Sequence, residues 1–203
     1  MVEGRETKIT VIDLDGTLVR GNTLHIYILS ALRESLRCHR WGFVTRCLGV
    51  LLLRRMRLVS HVSMKRKILP RIDVTDALRQ RFVREVDRRR RVSVMSIAEA
   101  SRTAGDTVVL ATAAPEVYVP WIWDGEFVAS PNDSTWECRG LAKVAALRAT
   151  YKDFDARLRM IVTDHEDDLP LLMLPAPEKL LISPTPRTSM IVKMAIPNIM
   201  ISE

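Results

Sequence analysis

Two aspartates lie two positions apart at the end of the first apolar run of the chain. Asp13 and Asp15 follow a β-branched, apolar stretch that begins at residue 8, and Gly16 comes directly after them. Two carboxylates at this spacing can face one pocket where the chain turns, and their mutual repulsion favours a bound cation. The pair therefore predicts a cation site, although such a pair is a weak signal when it is taken alone.

Three further short runs have the same apolar character. They are residues 107–112, 159–164 and 179–182. Helical stretches such as 141–151 separate them, and this alternation predicts an α/β fold with a parallel sheet covered on both faces. Ligands bind at the carboxyl ends of the strands in such sheets. The polar residues Asp13, Thr112 and Asp164, which end three of the runs, are therefore expected to meet at one edge.

The segment between the first two strands has a different character. Its sequence is rich in Leu, Arg and Val at broadly helical spacing over the stretches 24–36, 43–58 and 77–94. Almost no glycine follows Gly49, which also favours helices. The sequence thus predicts a helical insertion over residues 20–105, within a core formed by residues 1–19 and 106–203.

Basic residues are concentrated in this predicted insertion. Residues 20–91 hold 19 Lys and Arg against 5 Asp and Glu, and the whole chain has a net charge of +7. Three interpretations of this basic insertion are open: a surface for anionic lipid headgroups or a lipid phosphate, a contact with nucleic acid, or a solvated helix face that needs no partner. Nucleic acid is the least favoured partner, because no aromatic stacking set accompanies the arginines.

Composition indicates the compartment. The chain has 203 residues, of which 47% are hydrophobic, so it can bury a substantial core. Its longest charge-free run, 21–32, is short of the roughly 20 apolar residues that a spanning helix needs. The first residues lack the basic and apolar stages of a secretory signal, and three cysteines without CxxC spacing are expected to be reduced thiols. These features predict a cytoplasmic protein, and peripheral contact with an anionic membrane surface stays open.

The string IDLDGTLV at residues 12–19 resembles the first motif of the haloacid dehalogenase (HAD) superfamily. Three later segments resemble the further motifs of that family in the right order. They are VVLATAAP with Thr112, RGLAKVAAL with Lys143, and IVTDHEDDLPLL with Asp164 and Asp168. Four ordered matches are far more specific than the first pair of aspartates. The resemblance implies the HAD fold, a Rossmann-like parallel core that carries an inserted helical cap.

The resemblance also implies catalytic roles. Asp13 would attack phosphorus and be phosphorylated transiently, and Asp15 would act as general acid and then general base. Thr112 would bind a phosphoryl oxygen, while Lys143 would neutralise the charges of aspartate and phosphate. A carboxylate is a weak nucleophile towards a doubly charged phosphate ester, so this charge must be cancelled before attack.

Magnesium is the cofactor that the resemblance implies. Asp13 and Asp164 would coordinate Mg²⁺ through their side chains, and Asp15 would do so through its main-chain carbonyl. Asp168 would support the site from outside the set of metal ligands. The predicted activity is therefore magnesium-dependent hydrolysis of a small-molecule or lipid phosphomonoester.

An insertion between the first and second motifs resembles the type 1 cap of phosphoserine phosphatase-like family members. Such caps supply most substrate contacts, so the insertion is expected to determine specificity. Arg20 and His25, just beyond the first motif, are candidate substrate-binding residues. A structural role for His25 is an equal alternative.

The fourth motif departs from the common family pattern. Thr163 and His165 flank Asp164 where Gly and Ser are usual, and the bulkier pair could alter the loop. An alternative function is therefore a weakly active or non-catalytic module whose basic insertion contacts anionic lipid or another partner. Because no core acid is missing, the phosphatase is the favoured prediction.

Overall fold

Six parallel strands form the centre of the protein. The structure is a computed structural model that describes residues 7–202, so residues 1–6 and 203 of the predicted core lie outside it. The strands are β1 (Ile9–Ile12), β2 (Thr107–Pro115), β3 (Glu126–Ser130), β4 (Leu158–Thr163), β5 (Glu178–Ile182) and β6 (Met200–Ser202). They lie in the order β3-β2-β1-β4-β5-β6, and all neighbours pair in parallel. The predicted α/β fold with a Rossmann-like parallel core is confirmed.

Helices cover this sheet. Those between β1 and β2 are α1 (Thr23–Arg37), α2 (Trp41–Arg55), α3 (His61–Ile68), α4 (Asp76–Asp87) and α5 (Val92–Thr103). Those after β3 are α6 (Leu141–Thr150), α7 (Phe154–Arg157), α8 (Leu169–Leu172) and α9 (Pro186–Ala195). Within residues 7–202, none of the helices combines the length and the apolar character needed to cross a bilayer.

Alternating strand side chains bury one apolar core on each face of the sheet. Ile12 and Leu110 point into a cluster that also contains buried residues of α1, α4 and α5. Val11 and Val109 point into a second cluster with residues of α6 and α9. Because successive side chains of a strand face opposite sides, β1 and β2 contribute to both cores. The helices of the insertion therefore pack directly on the sheet.

The arginine run 88–91 separates α4 from α5, so the single helical stretch predicted there is wrong. Two main-chain hydrogen bonds join this run to the loop after β1, from Arg20 N to Arg89 O and from Arg91 N to Leu18 O, both at 2.9 Å. Side-chain periodicity does not detect such pairing between distant segments. The pairing fixes the end of the insertion beside the loop that carries Asp13.

Four aromatic rings connect the insertion to the core. Phe82 of α4 lies with its ring centroid 5.5 Å from Tyr27 of α1, 4.8 Å from Tyr118 and 6.0 Å from Trp121. Tyr118 and Trp121 follow β2, and Phe82 is fully buried among these rings. Tilted and edge-to-face pairs at these distances are favourable beyond the area that they bury.

Replacing Phe82 with Ala should lower the free energy of unfolding by about 3–5 kcal/mol, because the change removes a buried ring and leaves a cavity. Urea denaturation followed by circular dichroism measures this change. Val92→Ala is the matched control, since Val92 is 78% exposed and its truncation should change stability by less than about 0.5 kcal/mol. Equal losses in the two variants would contradict the structural role of the aromatic cluster.

Candidate active site

The carboxyl ends of three adjacent strands bring the predicted residues together. Asp13 directly follows β1, Asp164 directly follows β4, and Thr112 lies in β2 just before its pairing with β3 shifts register. Since β1 lies between β2 and β4, these side chains meet at the centre of the sheet edge. They line a cavity of about 270 Å³, together with the other matched residues Asp15, Lys143 and Asp168.

A buried lysine lines this cavity. Lys143 belongs to the first turn of α6 and is 3% exposed. Its Nζ donates to Asp13 Oδ1 at 2.8 Å and lies 2.7 and 2.8 Å from Oδ1 and Oδ2 of Asp168. Burial alone would lower the pKa of Lys143, but the two carboxylates outweigh it and raise this pKa. Lys143 therefore stays charged and holds Asp13 in place.

Negative charge nevertheless exceeds positive charge in the cavity. Burial raises the pKa of Asp13 above its usual value, with Lys143 opposing this shift and Asp168 and Asp164 adding to it. Burial also raises the pKa of Asp164 to about 6, against the hydrogen bond from Thr17. Asp13, Asp164 and Asp168 lie close enough to repel one another, and Lys143 contacts only Asp13 and Asp168, so a further cation would relieve this repulsion. A hard divalent cation such as Mg²⁺, which prefers carboxylate oxygens, fits this donor set.

The carboxylate of Asp15 turns away from the other acids. Its Oδ1 accepts a hydrogen bond of 2.6 Å from the main-chain N of Thr23, at the first residue of α1. Within residues 7–202, no three acidic, His or Cys side chains come together as a ready-made set of metal ligands. The side chains that fit a cation are therefore those of Asp13 and Asp164. Burial raises the pKa of Asp15, against the hydrogen bond from Thr23.

Thr17 is a site residue that sequence reasoning missed. Its hydroxyl lies 3.1 Å from Asp164 Oδ1 and 3.5 Å from Asp13 Oδ2, so it bridges the two carboxylates. Its place in the first motif was a signal that could have identified it. Gly16, just before it, has φ +85°, and an added Cβ would lie 1.9 Å from Asp164 Oδ2. Only glycine lets Asp164 approach the loop so closely.

The unusual residues of the fourth motif have clear contacts. Thr163 donates a hydrogen bond of 2.7 Å from its hydroxyl to Asp168 Oδ2, which fixes the carboxylate that holds Lys143. The side chain of His165 accepts from the main-chain N of Asp167 at 3.2 Å. Asp167 also pairs with Arg139 at the rim of the cavity. The bulkier Thr163 thus orients a site acid through its hydroxyl.

A second buried lysine, Lys65, reaches the cavity from α3. It is 2% exposed, and its Nζ donates to Ala113 O at 3.0 Å and to Glu137 Oε1 at 2.6 Å. His61 Nδ1 lies 3.2 Å from the same Glu137 oxygen. Burial would raise the pKa of Glu137, but its bonds with Lys65 and His61 prevail and lower it. No sequence signal distinguishes Lys65 from the other basic residues of the insertion.

Arg20 and His25 do not line the cavity. Both are exposed, and His25 lines a neighbouring hollow beside Asn22 and His61. Asn22 and His61 also line the cavity itself, so the two spaces adjoin. Of the predicted substrate-binding residues, the structure therefore brings Thr112 and Lys143 to the strand ends and leaves Arg20 and His25 outside.

Comparisons with known proteins indicate the family and the fold of this chain. A family model described as haloacid dehalogenase-like hydrolase matches residues 10–173, whereas no curated protein matches the chain. A protein of unknown function from Bordetella pertussis Tohama I superposes with a TM-score of 0.76 at 17% identity, over 98% of this chain and 99% of its own. A substrate-bound phosphoserine phosphatase superposes with a TM-score of 0.60 at 12% identity, over 98% and 94% of the two chains. These structural likenesses, taken by themselves, show the fold.

Substituting Ala for Gly16 should destabilise the protein more than the same change at Gly105. Both glycines have φ +85°, but a Cβ at Gly105 meets no atom within 4 Å. The backbone strain alone should cost about 1–2 kcal/mol in each variant. Displacement of Asp164 should cost Gly16→Ala about 1–2 kcal/mol more. Urea denaturation of the two variants measures the difference, and equal costs would show that Asp164 does not need this close approach.

Proposed function

Because the chain belongs to the haloacid dehalogenase-like hydrolase family, we propose that it hydrolyses phosphomonoesters through a transient aspartyl phosphate on Asp13. The observation that carries this proposal is the position of Lys143, whose ammonium group lies 2.8 Å from Asp13 Oδ1 and is held from behind by Asp168. A cation so placed reduces the repulsion between Asp13 and an incoming phosphate. Thr112 lines the same cavity, and its hydroxyl oxygen accepts a hydrogen bond of 3.0 Å from Ala114 N, which leaves the hydroxyl proton for donation to a phosphoryl oxygen.

In the first step, a carboxylate oxygen of Asp13 forms a bond to phosphorus, and the bond from phosphorus to the leaving oxygen breaks. Asp15 gives its proton to that oxygen, so an alcohol leaves. The hydrogen bond from Thr23 N holds the carboxyl group of Asp15 away from Lys143. This separation suits two acids with different tasks, one as nucleophile and one as proton donor.

In the second step, Asp15 accepts a proton from a water molecule whose oxygen attacks the phosphorus of the aspartyl phosphate. The bond from phosphorus to the Asp13 oxygen breaks, which releases phosphate and restores the Asp13 carboxylate. Lys143 stabilises the charge on Asp13 as this bond breaks. Each residue returns to its starting state, so the cycle needs no other reactant than water.

We include Mg²⁺ as the cofactor, held by the carboxylates of Asp13 and Asp164 and by the main-chain carbonyl of Asp15. When bound, Mg²⁺ would supply positive charge to the oxygens of the phosphoryl group. Thr17 bridges the two carboxylates and keeps them together. Asp168 serves the site indirectly, through Lys143 and Thr163.

We also propose that residues 20–105 act as a type 1 cap on a core of residues 1–19 and 106–203, as in the phosphoserine phosphatase-like subclass. Lys65 supports this role, because it brings a buried cation from the insertion to the cavity beside Ala113. Arg20 and His25 would contact only a substrate that extends beyond the cavity. The substrate in this proposal is a small-molecule or lipid phosphomonoester.

A weakly active or non-catalytic binding module is the alternative that the altered fourth motif raised. The hydrogen bond from Thr163 to Asp168 argues against it, because this bond orients the acid that holds Lys143. Activity measurements on variants of the site distinguish the two functions.

Asp13→Asn should reduce magnesium-dependent hydrolysis of a soluble aryl phosphate by roughly 1,000-fold or more, because the amide is not a nucleophile. Release of the aryl alcohol measures the rate. Asp124→Asn is the matched control, since the Asp124 side chain is 91% exposed, and it should keep wild-type activity. If neither the wild type nor Asp124→Asn shows turnover beyond that of Asp13→Asn on a broad panel of phosphates, the binding module becomes the better description.

Adding Mg²⁺ should raise the melting temperature of the wild-type protein, because ligands that bind only the folded state stabilise it. A chelator should reverse this rise. Asp164→Asn should lose most of the rise, whereas Asp167→Asn should keep it, because the Asp167 carboxylate pairs with Arg139 instead. Thermal denaturation with and without Mg²⁺ measures all three proteins. A rise that survives in Asp164→Asn would exclude Asp164 as a ligand.

A further inference from the structure

Helix α2 turns an apolar stripe towards solvent. The stripe consists of Trp41, Leu48 and Leu52 of α2 and of Met56, which directly follows the helix, and these residues are 58%, 52%, 58% and 59% exposed. Their spacing of seven, four and four residues places them on one side of the helix. Only Val44 and Cys47 of α2 are buried, so this helix buries few side chains and exposes most of its leucines. Single exposed leucines are common, but a row of large ones marks an interaction surface.

The segment that carries the stripe is strongly basic. Residues 35–72 contain ten Lys and Arg and no Asp or Glu. Arg46 and Arg55 are exposed and flank the stripe on its two sides, given 100° of rotation for each helical residue. An outward apolar row flanked by arginines is the pattern of a helix that lies in a membrane interface. Such a surface complements anionic lipid headgroups in charge as well as in polarity.

The same surface adjoins the mouth of the candidate active site. Arg54, Arg55 and Arg57 line a hollow together with Asn22 and His61. Asn22 and His61 also line the cavity that contains Asp13. A molecule whose apolar part lies beside α2 could therefore place a polar headgroup in the hollow and its phosphate in the cavity.

Other occupants fit this surface less well. Nucleic acid would use the arginines but would leave the four large apolar side chains without a partner. A second copy of this chain, paired through the same face, would bring a second set of exposed arginines against Arg46, Arg54 and Arg55. A solvated face would not need Trp41, Leu48, Leu52 and Met56 in one row. An anionic bilayer satisfies both the charge and the apolar stripe.

We propose that the apolar stripe of α2 and its flanking arginines dock the protein on an anionic lipid bilayer, where the cavity takes phosphomonoesters presented at the membrane surface. The substrate class in this proposal rests on the proposed phosphatase function. The docking does not, since it depends only on α2 and its surroundings. An experiment can therefore contradict the docking without contradicting the substrate class, and the reverse.

Vesicle co-sedimentation tests the docking. The probes are vesicles of phosphatidylcholine alone and vesicles that contain roughly one third phosphatidylglycerol. Wild-type protein should bind the anionic vesicles and lose this binding at high salt or on neutral vesicles. Replacing Leu48 and Leu52 with Ser should weaken binding by roughly tenfold or more, because two leucines no longer enter the interface. Arg46→Gln and Arg55→Gln should weaken binding to anionic vesicles at low salt only. At high salt the arginines of the wild type are screened as well, so their removal should have no further effect.

Met194→Ser is the matched control, because Met194 on α9 is 80% exposed and lies outside the insertion. This control should bind like the wild type. Equal binding to neutral and anionic vesicles, or equal loss in Met194→Ser, would overturn the docking. A dimer in solution that Leu48→Ser and Leu52→Ser abolish would also overturn it, since a second copy would then cover the stripe.

Kinetics test the substrate class. Phosphate release from a vesicle-borne lipid phosphomonoester should fall with the Leu48 and Leu52 replacements, while hydrolysis of a soluble aryl phosphate should not change. Hydrolysis of the soluble ester without any turnover of the vesicle-borne ester would overturn the substrate class and leave the phosphatase function standing. If the single replacement Asp13→Asn abolishes hydrolysis of both the vesicle-borne and the soluble ester, one site performs both reactions.

Discussion

The buried ion pair between Lys143 and two aspartates is the interaction on which the rest of the site depends. A charge removed from water is costly unless it is paired and hydrogen-bonded, and Lys143 is 3% exposed. Asp13 directly follows β1, and Asp168 lies in the segment between β4 and α8. Because both pair with Lys143, the lysine position requires β1, this segment and α6 to converge. The Thr163 hydroxyl completes this arrangement by fixing Asp168. Any change that moves one of these elements leaves a buried charge without its partner.

Strand order explains why this convergence occurs at one edge. β1 is central, with β2 on one side and β4 on the other, so the residues after these strands share a single opening. The loop after β1 then turns sharply at Gly16, where the absence of a Cβ lets Asp164 approach the main chain. Thr17 uses the same turn to reach both carboxylates. The site is thus a product of parallel topology combined with one tight turn.

The insertion between β1 and β2 contributes to the core of the protein as well as to the cavity. Its helices share an apolar core with one face of the sheet, and Phe82 joins it to the segment after β2. Through Lys65 it also places a second cation beside the strand that carries Thr112. At the same time, the apolar stripe of α2 lies outside this core and is exposed to solvent. Ordinary packing would have buried such side chains. The insertion therefore connects the cavity with an outer surface of distinct chemistry.

The sequence by itself determined the α/β fold, the four strands with strongly apolar runs and the matched residues Asp13, Thr112, Lys143 and Asp164. These follow from local patterns, since apolar runs, turn residues and motif order are all written along the chain. It missed β3 and β6, which are short and lack a continuous apolar run, and it joined α4 to α5.

Only the tertiary structure decided which distant side chains meet. The contact of Lys65 with Glu137, the bond from Thr163 to Asp168 and the separation of Arg20 from the cavity depend on how helices pack on the sheet. The outward direction of the α2 stripe depends on it as well, because leucines at helical spacing are equally compatible with a buried face. A linear pattern specifies periodicity, whereas burial and pairing require the positions of the neighbouring elements.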